Sequence, residues 1–305
     1  MWTFILRRVL FSIPIFIAVT FLTFSLIHAI PGGPFDSERE MAPVIRQRLE
    51  KKYGLDRPLW EQYGKYMQQL AHGDFGPSYK YTDWNVAELM QSKVKVSFEL
   101  GTYGMLFALF FGILGGILGV HFEGRWPDQW IRFLTTLGLC LPAFIIGPLL
   151  IYFLGIKLRW FDVAGWETWP QKILPMITVG LSYAAYIAQL ARHGLGEAMH
   201  QPYILAARAR GIPESRILWV HALRNGLLPV VAYLGSAFSG IISGAIITET
   251  VFQIPGLGRL FIQAITNRDG MLILGIVNFC ALAVIVCNTV SDCLQAWLNP
   301  KIRLK

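Results

Sequence analysis

Hydrophobic and polar positions do not alternate over a few residues in this chain; they come in long blocks. Windows free of Asp, Glu, Lys and Arg occupy 9–35, 100–122, 133–156, 173–191, 225–248 and 270–291. Each is 19 to 27 residues long, and roughly 20 apolar residues at 1.5 Å rise cross about 30 Å of hydrocarbon. Buried helices of a water-soluble protein do not repeat that length six times. The pattern predicts an all-α polytopic membrane protein with six transmembrane helices. The first window follows Arg7-Arg8 as a secretory signal would. Its apolar run is about twice that of a signal, however, and it closes on Pro31-Gly32-Gly33-Pro34 rather than on a small-residue cleavage site. It reads as an uncleaved first helix.

Composition narrows the class. Of 305 residues, 54% are hydrophobic and 15% charged, against about 25% charged in soluble chains. That balance excludes disorder, and four cysteines exclude a disulfide framework. The formal +8 follows topology rather than nucleic acid. With the N-terminus inside, the inner segments collect Arg7, Arg8, Arg125, Arg132, Arg192, Arg208, Arg210, Arg216, Arg224, Lys301, Arg303 and Lys305, with few acidic residues. Both termini are therefore expected in the cytoplasm. The outer segment 31–96 mixes ten Lys/Arg with nine Asp/Glu.

That outer segment is too long for a simple loop. Ile45, Leu49 and Tyr53 fall at helical spacing before Gly54. Asp56 is expected to cap a helix opened by Pro58, with Leu59, Tyr63, Tyr66, Met67 and Leu70 on one face. Gly73-Asp74-Phe75-Gly76-Pro77 is a turn cluster. Asp83 is expected to cap a third stretch carrying Val86, Leu89, Met90 and Val94 into the second span. The segment reads as a helical cap on the bundle or as a docking surface for a soluble partner. The expected organisation is 1–30 for the cytoplasmic start and first helix, 31–96 for a periplasmic cap, 97–300 for a five-helix core and 301–305 for a cytoplasmic tail.

A second segment interrupts the core at 202–225. Pro202 suits a first helical position, Tyr203 to Arg210 make two turns, and Gly211 suits a left-handed stop. Pro213 opens another short helix with Ile217, Val220 and Leu223 on one face. Ala206 and Ala207 offer a face that a partner backbone can approach. By pattern alone, this is either an elbow that docks a partner or an amphipathic helix resting on lipid.

The run Leu205-Ala206-Ala207-Arg208-Ala209-Arg210-Gly211 resembles the Glu-Ala-Ala-x-x-x-Gly loop of ABC importer permeases. The continuation to His221-Ala222-Leu223-Arg224-Asn225 is similar to the oligopeptide and dipeptide branch. So are Ile5-Leu6-Arg7-Arg8, Gly73-Asp74-Phe75-Gly76-Pro77-Ser78, Glu249-Thr250-Val251-Phe252-x-x-Pro255-Gly256-Leu257-Gly258 and the ending from Asp292 to Asn299-Pro300. The resemblance runs the whole length in order. Two positions depart from the pattern: Leu205 stands in place of Glu, and Arg224 in place of a closing Pro. The resemblance implies the type I importer permease architecture in a bacterial inner membrane. It also implies a second homologous permease, two ATP-binding subunits that use ATP and Mg, a periplasmic peptide-binding protein and a peptide substrate, with membrane lipid around the helices. It assigns ATPase coupling to Tyr203, Ala206, Ala207, Arg208, Arg210, Gly211, Arg216 and His221. Related cargoes are dipeptides, nickel chelates or another small solute; a membrane enzyme or passive channel is the other class.

The chain lacks a Gly-x4-Gly-Lys-Ser/Thr phosphate loop, a His-Glu-x-x-His and Cys pairs at metal spacing. It is therefore read as a non-enzyme with no cofactor of its own. Cys140, Cys280, Cys287 and Cys293 lie in or beside spans as small apolar residues. His193 and His200 can share a helix face but read as interfacial. Gly112-x3-Gly116, Gly115-x3-Gly119 and the repeat Ser236, Gly240, Gly244 suit close helix packing, within the chain or across a dimer or gate. Glu99 and Asp292 sit near span ends, where snorkelling or pairing is expected. Glu249, Asn278 and Asn288 are the deeper polar candidates. A carboxylate at Glu249's depth costs about 2.5–3.5 kcal/mol to insert, so it lines a wet route or caps a re-entrant turn before Pro255-Gly256, the second being favoured.

Overall fold

A computed structural model describes residues 2–30, 51, 54–81 and 83–298. The expected helix around Ile45 and Leu49, the turn at 31–34 and the tail 301–305 lie outside these residues. The described chain begins with α1 (Trp2–Ala29), α2 (Leu59–Ala71) and α3 (Val86–His121). Next come α4 (Trp126–Cys140), α5 (Ala143–Leu150) extended by π-helical turns over Ile151–Lys157, and α6 (Trp169–Met199). A short α7 (Pro202–Ala209) is followed by α8 (214–226), whose middle, Ile217–Ala222, is also π-helical. The remainder is α9 (Leu228–Gly244), α10 (Ile246–Val251), α11 (Leu257–Thr266) and α12 (Gly270–Leu298).

Among the described residues, five stretches are long and apolar enough to cross a membrane: Leu6–Ala29, Val86–His121, Trp169–Met199, Leu228–Val251 and Gly270–Trp297. The window 133–156 differs from the single helix expected of it. Its two parts, Trp126–Cys140 and Ala143–Lys157, meet at 107°. The cause is local: Leu141 and Pro142 are both extended, and proline has no N–H to continue the ladder. The bent pair nonetheless carries the chain from one end of the bundle to the other. Asp128 on α4 pairs with Arg192 near the C-terminus of α6, at 2.7 Å. Beyond α5, the Trp166 indole donates to Glu99, in the N-terminal half of α3, at 3.0 Å.

The tightest pairing is α3 against α6, and glycine allows it. A Cβ at Gly112 would lie 2.8 Å from the Ala184 carbonyl oxygen, and one at Gly116 2.5 Å from Ala191 Cβ. Small residues at this spacing let backbones meet where no water is present to drive association. The α3 glycines thus pack inside the chain. In the α9 repeat, Gly240 receives the Tyr183 ring while Ser236 faces outward.

With 36 residues, α3 is about 54 Å long and outruns the roughly 30 Å of hydrocarbon. It passes without a break through the 96/97 boundary placed from sequence. Asn85, not Asp83, caps it, in a reciprocal box with Glu88. Asp56 does not cap α2, whose first turn follows Pro58 without a side-chain cap. This region is tied to the bundle by buried polar bonds. The Tyr66 hydroxyl accepts from the Asn278 amide at 2.8 Å, and Thr20 of α1 donates to the Asn278 carbonyl oxygen at 2.9 Å. Asp269 accepts from the Leu272 amide at the start of α12, the Tyr79 amide and the Ser78 hydroxyl. In the glycine-rich turn, the Asn85 amide and the Gly76 N–H hold Asp74 below the usual carboxylate range. Gly76 has φ +82 there, with Met271 packed where a Cβ would stand. At the far end Arg8 pairs with Asp292 at 2.6 Å. Both ends of the described chain therefore lie at the end of the bundle that carries α7 and α8.

Candidate coupling elbow and polar groups of the bundle

Helices α7 and α8 form a hairpin whose turn follows from its residues. The Gly211 N–H donates to the Arg208 carbonyl at 2.9 Å and the Ile212 N–H to the Ala207 carbonyl at 3.3 Å. These are the two bonds of a Schellman stop, which needs a left-handed residue; Gly211 supplies it at φ +74. Across the turn, Arg208 and Glu214 make a forked pair at 2.6 and 3.3 Å. At the open end the Asn225 amide donates to the Tyr203 hydroxyl at 3.1 Å.

The hairpin has an inner and an outer face. Ile204, Ala207, Ile217, Leu218 and Ala222 are buried together with Ile117 and Leu195. Ala207, expected beside Ala206 on the approachable face, is thus turned into the chain, at 8% exposure. The outer face carries Tyr203, Leu205, Ala206, Arg210 and Gly211, with Arg216 exposed on α8 and His221 half-buried. The expected stripe Ile217, Val220, Leu223 is also revised, because Val220 is 59% exposed. The π-helical bonds of Ile217–Ala222 reach one residue further than α-helical ones. Ile217 therefore shares the inner face with Ala222 rather than with Val220. The base is seated backbone against backbone: a Cβ on Gly194 of α6 would lie 2.1 Å from the Gly226 carbonyl oxygen. The hairpin base and α6 thus meet with no side chain in between.

The deeper polar candidates do not converge. Glu249 is fully buried and crowns α11. It accepts from the Gly258 and Arg259 amides at 2.8 and 3.1 Å, and from the Ser97 hydroxyl at 2.6 Å. Ser97 in turn accepts from the Leu257 amide at 2.7 Å. The first three N–H groups of α11, which no helix can satisfy internally, are all met. The glycines of the Pro255-Gly256-Leu257-Gly258 run make this possible: a Cβ on Gly256 would strike the Glu249 carboxylate, and one on Gly258 would come 2.5 Å from Ile246 Cα. Asn278 is committed to Thr20 and Tyr66. Asn288 is half-buried where α12 crosses Gly235 of α9. Glu99, two residues after Ser97 on α3, pairs with Lys172 at 2.6 Å, and the ammonium is ringed by Tyr103, Trp166 and Trp169.

Polar side chains that sequence reasoning passed over, Tyr186 and Gln189, face outward instead, beside Ser236 of the small-residue repeat. Tyr186 and Gln189 of α6 and Ser236 of α9 are exposed, and the Tyr186 and Tyr233 rings lie 4.5 Å apart. The available signal was the pair Tyr186 and Gln189, at helical spacing inside an apolar window and continued by His193 just past its end. Among the described residues no three His, Cys, Asp or Glu side chains gather to hold a metal.

A bundle of long apolar helices with an exposed helical hairpin seated on α6 is the layout of a polytopic membrane protein. The chain belongs to the family of binding-protein-dependent transport system inner membrane components, which matches residues 108–304. The N-terminal family of the same membrane components matches residues 1–85. It is similar to the oligopeptide transport system permease protein OppB of Salmonella typhimurium, 39% identical over 99% of this chain and 100% of the relative. The dipeptide transport system permease protein DppB of Lactococcus lactis is 34% identical over 99% of both. Among solved structures, an inward-facing MetNI methionine ABC transporter chain matches with a TM-score of 0.60 at 15% identity, over 69% of this chain and 96% of that one. The fold is that of ABC importer permeases.

Proposed function

We propose that this chain is one of two permease subunits of an ATP-driven importer for oligopeptides in a bacterial inner membrane, with both termini in the cytoplasm. A homologous permease completes the pathway, two ATPase subunits consume ATP and Mg, and a periplasmic binding protein delivers the peptide. The observation that carries the coupling role is the hairpin: an exposed rim of Tyr203, Leu205, Ala206 and Arg210 on a base fused to α6 through Gly194 and Gly226. Closure of the ATPase pair against that rim moves α6, and α3 with it, because the two helices touch through glycine. Alternating access follows from such a rigid pair. The choice of cargo is supported by full-length similarity to an oligopeptide permease, and the dipeptide relative defines the second reading.

The experiment is uptake of labelled peptides of two to five residues by the reconstituted permease pair, ATPases and binding protein. ATP-dependent uptake of tri- to pentapeptides is expected. Uptake of dipeptides alone transfers the assignment to the second reading, and ATP-independent flux removes the importer.

A further inference from the structure

Most outward-facing surfaces of the long helices are apolar. Leu10, Phe11 and Phe21 of α1, Phe110 of α3, and Val286 and Val290 of α12 are all about half exposed or more, as hydrocarbon contact requires. One face breaks this rule. Between α4 and α9, α6 turns outward Tyr186, Gln189 and His193, and α9 adds Ser236 beside them, with Tyr233 against Tyr186. Tyr183, the next α6 residue toward α9, lies over Gly240. These groups are level with the middle of the bundle, since Ala184 and Ile187 face Gly112 near the centre of the apolar run of α3. Among the described residues, the hydroxyls of Tyr183, Tyr186 and Tyr233 and the amide of Gln189 have no hydrogen-bond partner within the chain. A polar group unmet at membrane depth faces water or protein, not lipid. The face also leads somewhere. Gln189 and His193 line a groove of 440 Å³ that continues along α6 to His200, with Arg132 and Thr135 of α4 opposite.

We infer that the face of α6 and α9 bearing Tyr183, Tyr186, Gln189, Tyr233 and Ser236 lines a water-filled route for an extended peptide, opening into the His193 groove at the elbow end. The inference deepens the importer reading and rests on it for the nature of the cargo. The chemistry suits a peptide main chain. Hydroxyls and a carboxamide both donate and accept, so they exchange water for backbone N–H and C=O without regard to sequence. Tyrosine rings stack on side chains of any kind. No Asp, Glu, Lys or Arg occurs on α6 from Ile173 to Ala191, so that stretch selects neither sign of side-chain charge; Glu123, Arg132, Arg192 and Glu197 enter only at the groove.

The test uses the complete complex in membranes. The four native cysteines are replaced, peptide uptake is checked, and single cysteines are placed at Ser236 and Gln189 on the inferred route and at Phe110 and Val286 on apolar faces. A charged, membrane-impermeant thiol reagent is expected to label S236C and Q189C, with protection by transported peptide, and to leave F110C and V286C unlabelled. Unlabelled S236C and Q189C in a complex that takes up peptide overturns the route and leaves the importer intact. Labelled sites in a wild-type complex that takes up no peptide keeps the wet face and removes the peptide. As a measurement free of cysteine replacement, Tyr186→Phe and Tyr233→Phe keep the rings and delete the hydroxyls. Each is expected to raise the KM for peptide uptake roughly 2- to 10-fold, the effect of one hydrogen bond, without changing ATPase association. Wild-type KM in both overturns the role of the hydroxyls.

Discussion

A single carboxylate organises the polar interior near α11. Glu249 and Ser97 together meet the first three amides of that helix. Glu249→Leu leaves the Gly258 and Arg259 amides and the Ser97 O–H without an acceptor, while the Leu257 amide keeps Ser97, at about 1–3 kcal/mol for each orphaned group. We expect markedly less folded protein and a lower midpoint in detergent thermal unfolding. Glu249→Gln keeps one oxygen for the Gly258 and Arg259 amides, so most uptake is expected to survive. Normal assembly of the Leu variant with altered peptide selectivity would instead put the carboxylate on the transport route. Part of this site was legible in the sequence, since a lone acid ahead of Pro255-Gly256 in an apolar window needs donors. Ser97 was not, because its partners lie 152 and 160 residues away and no local pattern marks it.

At the scale of elements, the hairpin separates two alanines that look equivalent in the sequence. Ala206 is on the outer face and Ala207 on the inner one. Ala206→Asp is expected to leave thermal stability within about 0.5 kcal/mol, as surface changes do, while ATPase co-purification and uptake fall. Ala207→Asp puts an unpaired charge among Ile204, Ile217 and Leu218 and is expected to lower stability itself. Wild-type uptake by Ala206→Asp would return the hairpin to a lipid-surface role. Gly211→Val forces a β-branched residue to φ +74, at a cost of at least about 1–2 kcal/mol. Loss of the ATPases from a correctly inserted chain is its expected readout. The Gly211 stop was legible because left-handed backbone selects glycine. The π-helical register of Ile217–Ala222 was not, because a helical wheel assumes 3.6 residues per turn and nothing in the side chains announces the change.

For the whole molecule, the count of crossings decides the sidedness of both ends. The five unbent stretches among the described residues would alone put the ends of the described chain on opposite sides, and the bent pair α4–α5 restores them to one. Reporters fused after Arg57 and Arg268 are expected to read outside, and those after Arg125, Arg210 and Lys305 inside. An inside signal at Arg57 would move the hairpin away from any cytoplasmic ATPase. Six apolar windows were visible in the sequence because lipid demands long uncharged runs. The 107° bend was marked only by Pro142, and a window average does not register one residue. The anchoring of α2 was hidden for a different reason: Thr20, Tyr66 and Asn278 are ordinary residues until three distant segments bring them together.

The Glu249–Ser97 arrangement also fixes an order of biogenesis. Ser97 leaves the ribosome 152 residues before Glu249, and α11 follows after both. Until α11 is in place, the carboxylate has the Ser97 hydroxyl but lacks both of its backbone donors, Gly258 and Arg259. An interrupted chain that stops between Val251 and Leu257 therefore carries an exposed defect at its heart, while a chain that has completed α11 does not.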